Sequence, residues 1–274
     1  MAKKNINEMS FLDHLEELRW RLIKITLAIV IVGTLAFIFS RFIFDDIIFA
    51  PLDMNFPTYD FLCRIATYMN LDTSFCNDEV PLILQNRTMA GQFSADIWTA
   101  VLAGFIISFP YVIYQLWQFV SPGLHANERK HSRGFIVISS LLFFLGALFG
   151  YYIITPLSIN FLANYSISSR VDNQIDISSF IGLVRSSVLA SGIIFELPII
   201  IYFLTKIGLV TPEFLRKYRK YALILVLVLS AIITPPDIAS QVIVAIPILI
   251  LYEVSIIIAK IVVRNQNRKL KKHV

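Results

Sequence analysis

Charge is scarce in this sequence. Only 16% of its 274 residues are Asp, Glu, Lys or Arg, against about 25% in soluble domains. Hydrophobic residues reach 57%, with 22 Phe, and the mean hydropathy is +0.70. That excess is too large for a buried core, so much of the chain must have lipid as its solvent. Four histidines, His14, His125, His131 and His273, lie scattered without ligand spacing, which gives no metal site. There is no phosphate-binding glycine loop, so neither ATPase chemistry nor a cofactor is indicated. No serine has an identifiable His–acid partner set, and no catalytic constellation is visible. The basic excess (net charge +5) is not joined to a soluble fold, which argues against nucleic acid and for anionic headgroups. Internal repeats and a second domain are also missing, so residues 1–274 read as one polytopic membrane domain.

What is present is a series of apolar runs. They fall at residues 20–40, 96–120, 134–155, 178–204, 221–233 and 238–258. The first lacks a small-x-small cleavage pattern and reads as a retained span. Before it, residues 1–19 form a cytoplasmic leader. There Phe11, Leu12, Leu15 and Leu18 recur at helical spacing, as in a short helix lying on the bilayer surface. Pro110 predicts a kink in the second span, Pro156 a stop or bend after the third, and Glu196 with Pro198 an interruption of the fourth. The expected fold is an all-α membrane protein of six transmembrane helices, the last two short. Residues 221–233 would cover only about 20 Å as a helix, against roughly 30 Å of hydrocarbon. Residues 41–94 read as a long extramembrane loop, 157–177 as a second polar loop, and 260–274 as a basic cytoplasmic tail, mobile from Arg264 on.

All but five of the 24 Lys and Arg residues fall in the N-terminus, the loops after the second and fourth spans, and the tail. The five exceptions are Arg41, Arg64, Arg87, Arg170 and Arg185. The positive-inside rule places the basic set in the cytoplasm, with both termini inside. The 41–94 loop is then exported and holds both cysteines, Cys63 and Cys76. An oxidising compartment allows them to pair; two independent thiols are the alternative.

The acidic residues are the groups best placed for a function. Glu17 and Glu128 fall at the cytoplasmic surface, where a carboxylate can accept the fork of an arginine. The plainer alternative is local pairing, Glu17 with Arg21 at i,i+4 and Glu128 with Arg129 or Arg133. Glu196 lies deep in an apolar run, where an ionisable group is costly and marks a functional site by default. A structural hydrogen bond inside the bundle is the alternative. Gln241, near Asp237, is placed either to cap the final hairpin or to make a polar contact in the bilayer.

Five segments taken together carry a family resemblance. Phe11-Leu12-Asp13-His14-Leu15-Glu16-Glu17-Leu18-Arg19-Trp20-Arg21 resembles the N-terminal signature of the TatC subunit of the twin-arginine protein translocase. Tyr114-Gln115-Leu116-Trp117-Gln118-Phe119-Val120-Ser121-Pro122-Gly123-Leu124 with Glu128-Arg129-Lys130 resembles its first cytoplasmic loop. Ala50-Pro51-Leu52, Phe195-Glu196-Leu197-Pro198, and Thr234-Pro235-Pro236-Asp237 with Ser240-Gln241 match further motifs in order. The resemblance implies a non-enzymatic receptor in the bacterial cytoplasmic membrane for signal peptides with consecutive arginines. It would export folded proteins with the proton-motive force, alongside single-span TatA/TatB-type subunits and other TatC copies. Glu17, Arg19, Phe119 and Glu128 would form the recognition patch. Glu196 and Gln241 would contact the signal peptide or partner helices, and Pro51 and Asp237 would shape the exported side. The 41–94 loop is longer than the family pattern. A small-solute transporter or channel is the competing class; it would need more intramembrane polar groups and an inverted repeat.

Overall fold

A computed structural model of the chain describes residues 11–53, 55–68, 83–120, 132–168, 173–234 and 237–270. Among these, five helices are long and apolar enough to cross a membrane: His14–Ile38, Gly91–Phe119, Gly134–Asn164, Ile177–Lys206 and Ser240–Arg268. Large apolar side chains such as Leu27, Val30, Leu35 and Ile38 are more than half exposed on the first of them, a surface stable only against lipid.

Helix α1 (Phe11–Ile38) is continuous. The leader is therefore not a separate surface helix; from Phe11 it forms the first turns of the span, because no Gly or Pro breaks the chain before Gly33. Helix α2 (Pro57–Tyr68) and strand β1 (Ile83–Gln85) lie in the long loop, ahead of α3 (Gly91–Val120). Helices α1 and α3 pack closely: a Cβ on Gly104 would sit 2.6 Å from the Ile29 carbonyl oxygen, so only glycine permits this approach.

Helix α4 (Ser132–Phe149) passes through a π turn at Gly150–Ile154 into α5 (Thr155–Asn164). Pro156 therefore does not stop the span, and the polar segment begins at residue 165 rather than 157. Lacking an N–H, Pro156 cannot donate to the Tyr152 carbonyl; the Thr58 hydroxyl donates to that oxygen instead. Strand β2 (Gln174–Asp176) pairs in parallel with β1, Ile83 opposite Gln174 and Gln85 opposite Asp176. Neither strand was legible as such in the two polar loops.

Helix α6 (Ile177–Phe195) ends at Glu196, and α7 (Leu197–Lys206) resumes with Pro198 in its first turn. The interruption falls where Glu196 and Pro198 predict it. Helix α6 crosses α4 tightly, with a Cβ on Gly146 lying 2.6 Å from the Ser191 carbonyl oxygen. Phe143, fully buried, stacks on Phe109 at 3.6 Å and joins α4 to α3.

A short α8 (Pro212–Lys217) precedes α9 (Arg219–Ile233) and α10 (Ile238–Leu270). Helix α9, 15 residues long, is short, as the sequence indicates. Helix α10 is longer than its apolar stretch: it runs 33 residues, and most of the segment read as a mobile tail continues the helix to Leu270.

Candidate functional site

The ends of α1 and α3 that carry the basic flanks meet in one polar cluster. His14, Glu17 and Arg21 recur three and four residues apart, so they share one stripe of α1; Gln115, Gln118 and Phe119 share one stripe of α3. Glu17 Oε1 accepts Arg21 Nε at 3.0 Å and also Nη2 of the same guanidinium. Arg21 Nη1 donates to Gln118 Oε1 at 2.7 Å and to Gln115 Oε1 at 3.4 Å. Both charged side chains are largely covered, Arg21 at 16% and Glu17 at 22% exposure. The second carboxylate oxygen, Glu17 Oε2, is buried with no hydrogen-bond partner among the described residues, and lies 3.9 Å from His14 Nδ1. The His14 ring stacks on Phe119, centroids 4.3 Å apart.

Two of the expected patch residues, Glu17 and Phe119, are thus brought together. Arg19 is on the same helix but exposed. Glu128 lies outside the described residues. The i,i+4 pairing of Glu17 with Arg21 is realised, yet it uses only one oxygen of the carboxylate. Gln118 was missed; its signal was a second amide three residues from Gln115 near the end of an otherwise apolar helix.

Glu196 is buried at the α6–α7 break. Its Oε2 accepts Ser139 Oγ at 2.7 Å, and Oε1 is buried without a hydrogen-bond partner among the described residues. A hydrogen bond inside the bundle is therefore present, and half of the carboxylate is left over. Gln241 Nε2 donates to the Leu227 carbonyl at 2.9 Å and ties α10 to α9. Asp237 Oδ2 accepts from Ser240 N (2.8 Å) and Ser240 Oγ (2.7 Å), capping α10.

At the opposite end, Pro51 is buried and its carbonyl accepts the Tyr59 hydroxyl at 3.0 Å. Burial pushes that hydroxyl up to about 12. Asp176 caps α6 through Ser178 N at 2.9 Å and accepts Arg87 N at 3.2 Å, and these backbone donors hold its carboxyl below the usual range. Cys63, on α2, is disulfide-bonded; Cys76 lies outside the described residues.

The family profile described as Sec-independent protein translocase protein (TatC) matches residues 13–247. The chain belongs to the TatC family. A TatC from Blattabacterium sp. subsp. Periplaneta americana is 43% identical over 258 residues, covering 94% of this chain and 97% of its own. The Aquifex aeolicus TatC is 36% identical over 259 residues, covering 94% and 98%. A crystal structure described as the twin arginine translocase receptor TatC aligns with a TM-score of 0.69 at 34% identity, covering 91% of this chain and 99% of the other. As a TatC, the chain is a Sec-independent translocase subunit and a multi-pass protein of the bacterial inner membrane.

Proposed function

We propose that this TatC is the receptor that captures twin-arginine signal peptides at the cytoplasmic surface. With TatA/TatB-type single-span subunits and further TatC copies, it exports folded proteins using the proton-motive force. The role is binding and transport, with no catalytic step. The reading takes six crossings, α9 being the short one, with both termini inside. The observation that carries it is Glu17: a carboxylate fixed through one oxygen, with the other buried and without a hydrogen-bond partner among the described residues, beside the His14–Phe119 stack. A guanidinium from a ligand has a charged, oriented acceptor there once the stacked rings move. Arg19 lies at the rim, and Glu128 supplies the second carboxylate. Glu196, through the oxygen that has no hydrogen-bond partner among the described residues, and Gln241, beside the hairpin, are contacts for the signal peptide or partner helices within the bilayer. Pro51 and Asp237 hold the exported side in shape.

Site-specific photocrosslinking tests this. Glu17→Ala and Glu128→Ala each lose crosslinking from Phe119 to a twin-arginine signal peptide, while membrane insertion is unchanged. Normal crosslinking by the double variant would overturn the reading.

A further inference from the structure

At the basic end of the molecule, α7 and α10 enclose a pocket of about 210 Å³ that takes no part in the cluster around Glu17. Ile258 and Ile261 line it on the apolar side; Tyr202, Lys206, Asn265 and Gln266 line its polar side. Gln266 Nε2 donates to the Lys206 carbonyl at 3.1 Å and fixes the two helix ends against each other. Lys206 Nζ lies 5.9 Å from the centre of the Tyr202 ring.

The level of this pocket follows from the length of α10. Its 33 residues extend about 50 Å, well beyond roughly 30 Å of hydrocarbon. The helix therefore carries on through the headgroup layer. There α10 also carries Lys260, Arg264 and Arg268, spaced four residues apart; none of them lines the pocket. Among the described residues no carboxylate lines the pocket. The last carbonyls of α7 bear partial negative charge, so an anion there must be held by side chains; Lys206, Asn265 and Gln266 supply N–H donors.

We propose that this pocket is a binding site for one anionic phospholipid of the cytoplasmic leaflet. Its phosphate is held by Lys206 and Asn265, and an acyl chain lies against Ile258 and Ile261. The apolar wall distinguishes this occupant from free phosphate. The basic donors distinguish it from a zwitterionic lipid, whose own ammonium cancels the attraction. The inference is independent of the signal-peptide reading.

The test is native mass spectrometry of the full chain released from bilayers of equal phosphatidylglycerol and phosphatidylcholine. The wild type is expected to retain phosphatidylglycerol with about tenfold preference. Lys206→Gln with Asn265→Ala brings retention to parity. Ile261→Trp fills the pocket and abolishes retention with no change of charge. Arg216→Gln with Lys217→Gln, basic but outside the pocket, keeps the preference. Equal retention of both lipids by the wild type overturns the proposal. So does an equal loss in the Arg216/Lys217 variant, which would mean general surface attraction, or displacement of the lipid by inorganic phosphate, which would mean a site without an acyl contact.

Discussion

Arg21 holds Glu17 with the same chemistry that a ligand guanidinium would use, and two glutamines hold Arg21. Without it, Glu17 loses its fixed orientation. Arg21→Gln is expected to weaken twin-arginine peptide binding about tenfold, or about 1.4 kcal/mol. Arg21→Lys falls between, since an ammonium cannot reproduce the Nε–Nη2 pair. Fluorescence anisotropy with a labelled peptide reads both; equal affinity in all three proteins would remove Arg21 from the site. Gln241→Ala removes a donor from the Leu227 carbonyl, which also accepts from Ser230 Oγ. The carbonyl is not orphaned, so the expected cost is only about 1 kcal/mol, visible as a small drop in thermal unfolding temperature in detergent. Some of this was legible beforehand. Glu17 and Arg21 share a face by their i,i+4 spacing, while Phe119 was placed beside Glu17 by the family resemblance alone. The Glu196–Ser139 and Gln241–Leu227 bonds join residues distant in sequence, and no periodicity reports them.

Helices were the most legible elements, because long apolar runs in lipid admit little else. Their ends were less so. Residues 11–19 and 260–270 are polar enough to read as leader and tail, yet a helix already nucleated in the bilayer extends into them at little cost when no breaker intervenes. Pro156 misled for a related reason: the π turn and the Thr58 hydroxyl accommodate its missing donor. At the α1–α3 crossing, Gly104→Leu places atoms inside the Ile29 backbone, and a loss of about 1–3 kcal/mol or more is expected. Unfolding in detergent would show it, and an unchanged midpoint would mean the helices can separate freely. The start of α6 depends on Asp176. Its carboxyl titrates below the usual range in the folded protein, so its stabilisation is complete above the ordinary Asp value of about 3.9. That stabilisation is lost only as pH falls through the lower folded value. Amide hydrogen exchange at Ser178 and Arg87 should stay slow at mildly acidic pH, and Asp176→Asn should speed it at neutral pH.

For the whole molecule, the Lys and Arg distribution identified one basic end. The structure gathers the start of α1, the end of α3 and the ends of α7 and α10 there, through Arg21 with Gln118 and Gln266 with Lys206. The cap at the opposite end, where β1 pairs with β2, was invisible as structure, because it is built from contacts between two loops and not from runs within either. We propose that Cys63 pairs with Cys76 to close that cap. Thiol labelling of the denatured protein should find neither cysteine until reductant is added, and full labelling without reductant would exclude the bond.

The parallel pairing of β1 with β2 also sets an order of events during synthesis. Arg87 and its acceptor Asp176 are 89 residues apart in the chain, and α3, α4 and α5 lie between them. At about 5–20 residues per second, the segment that carries β1 waits for several seconds before its partner strand is made. Tyr59 likewise waits for the Pro156 carbonyl, 97 residues later, which it meets at 3.4 Å. The cap is therefore a late-closing structure, and its exposed strand and thiols are open to proteases, oxidants and folding helpers throughout that interval.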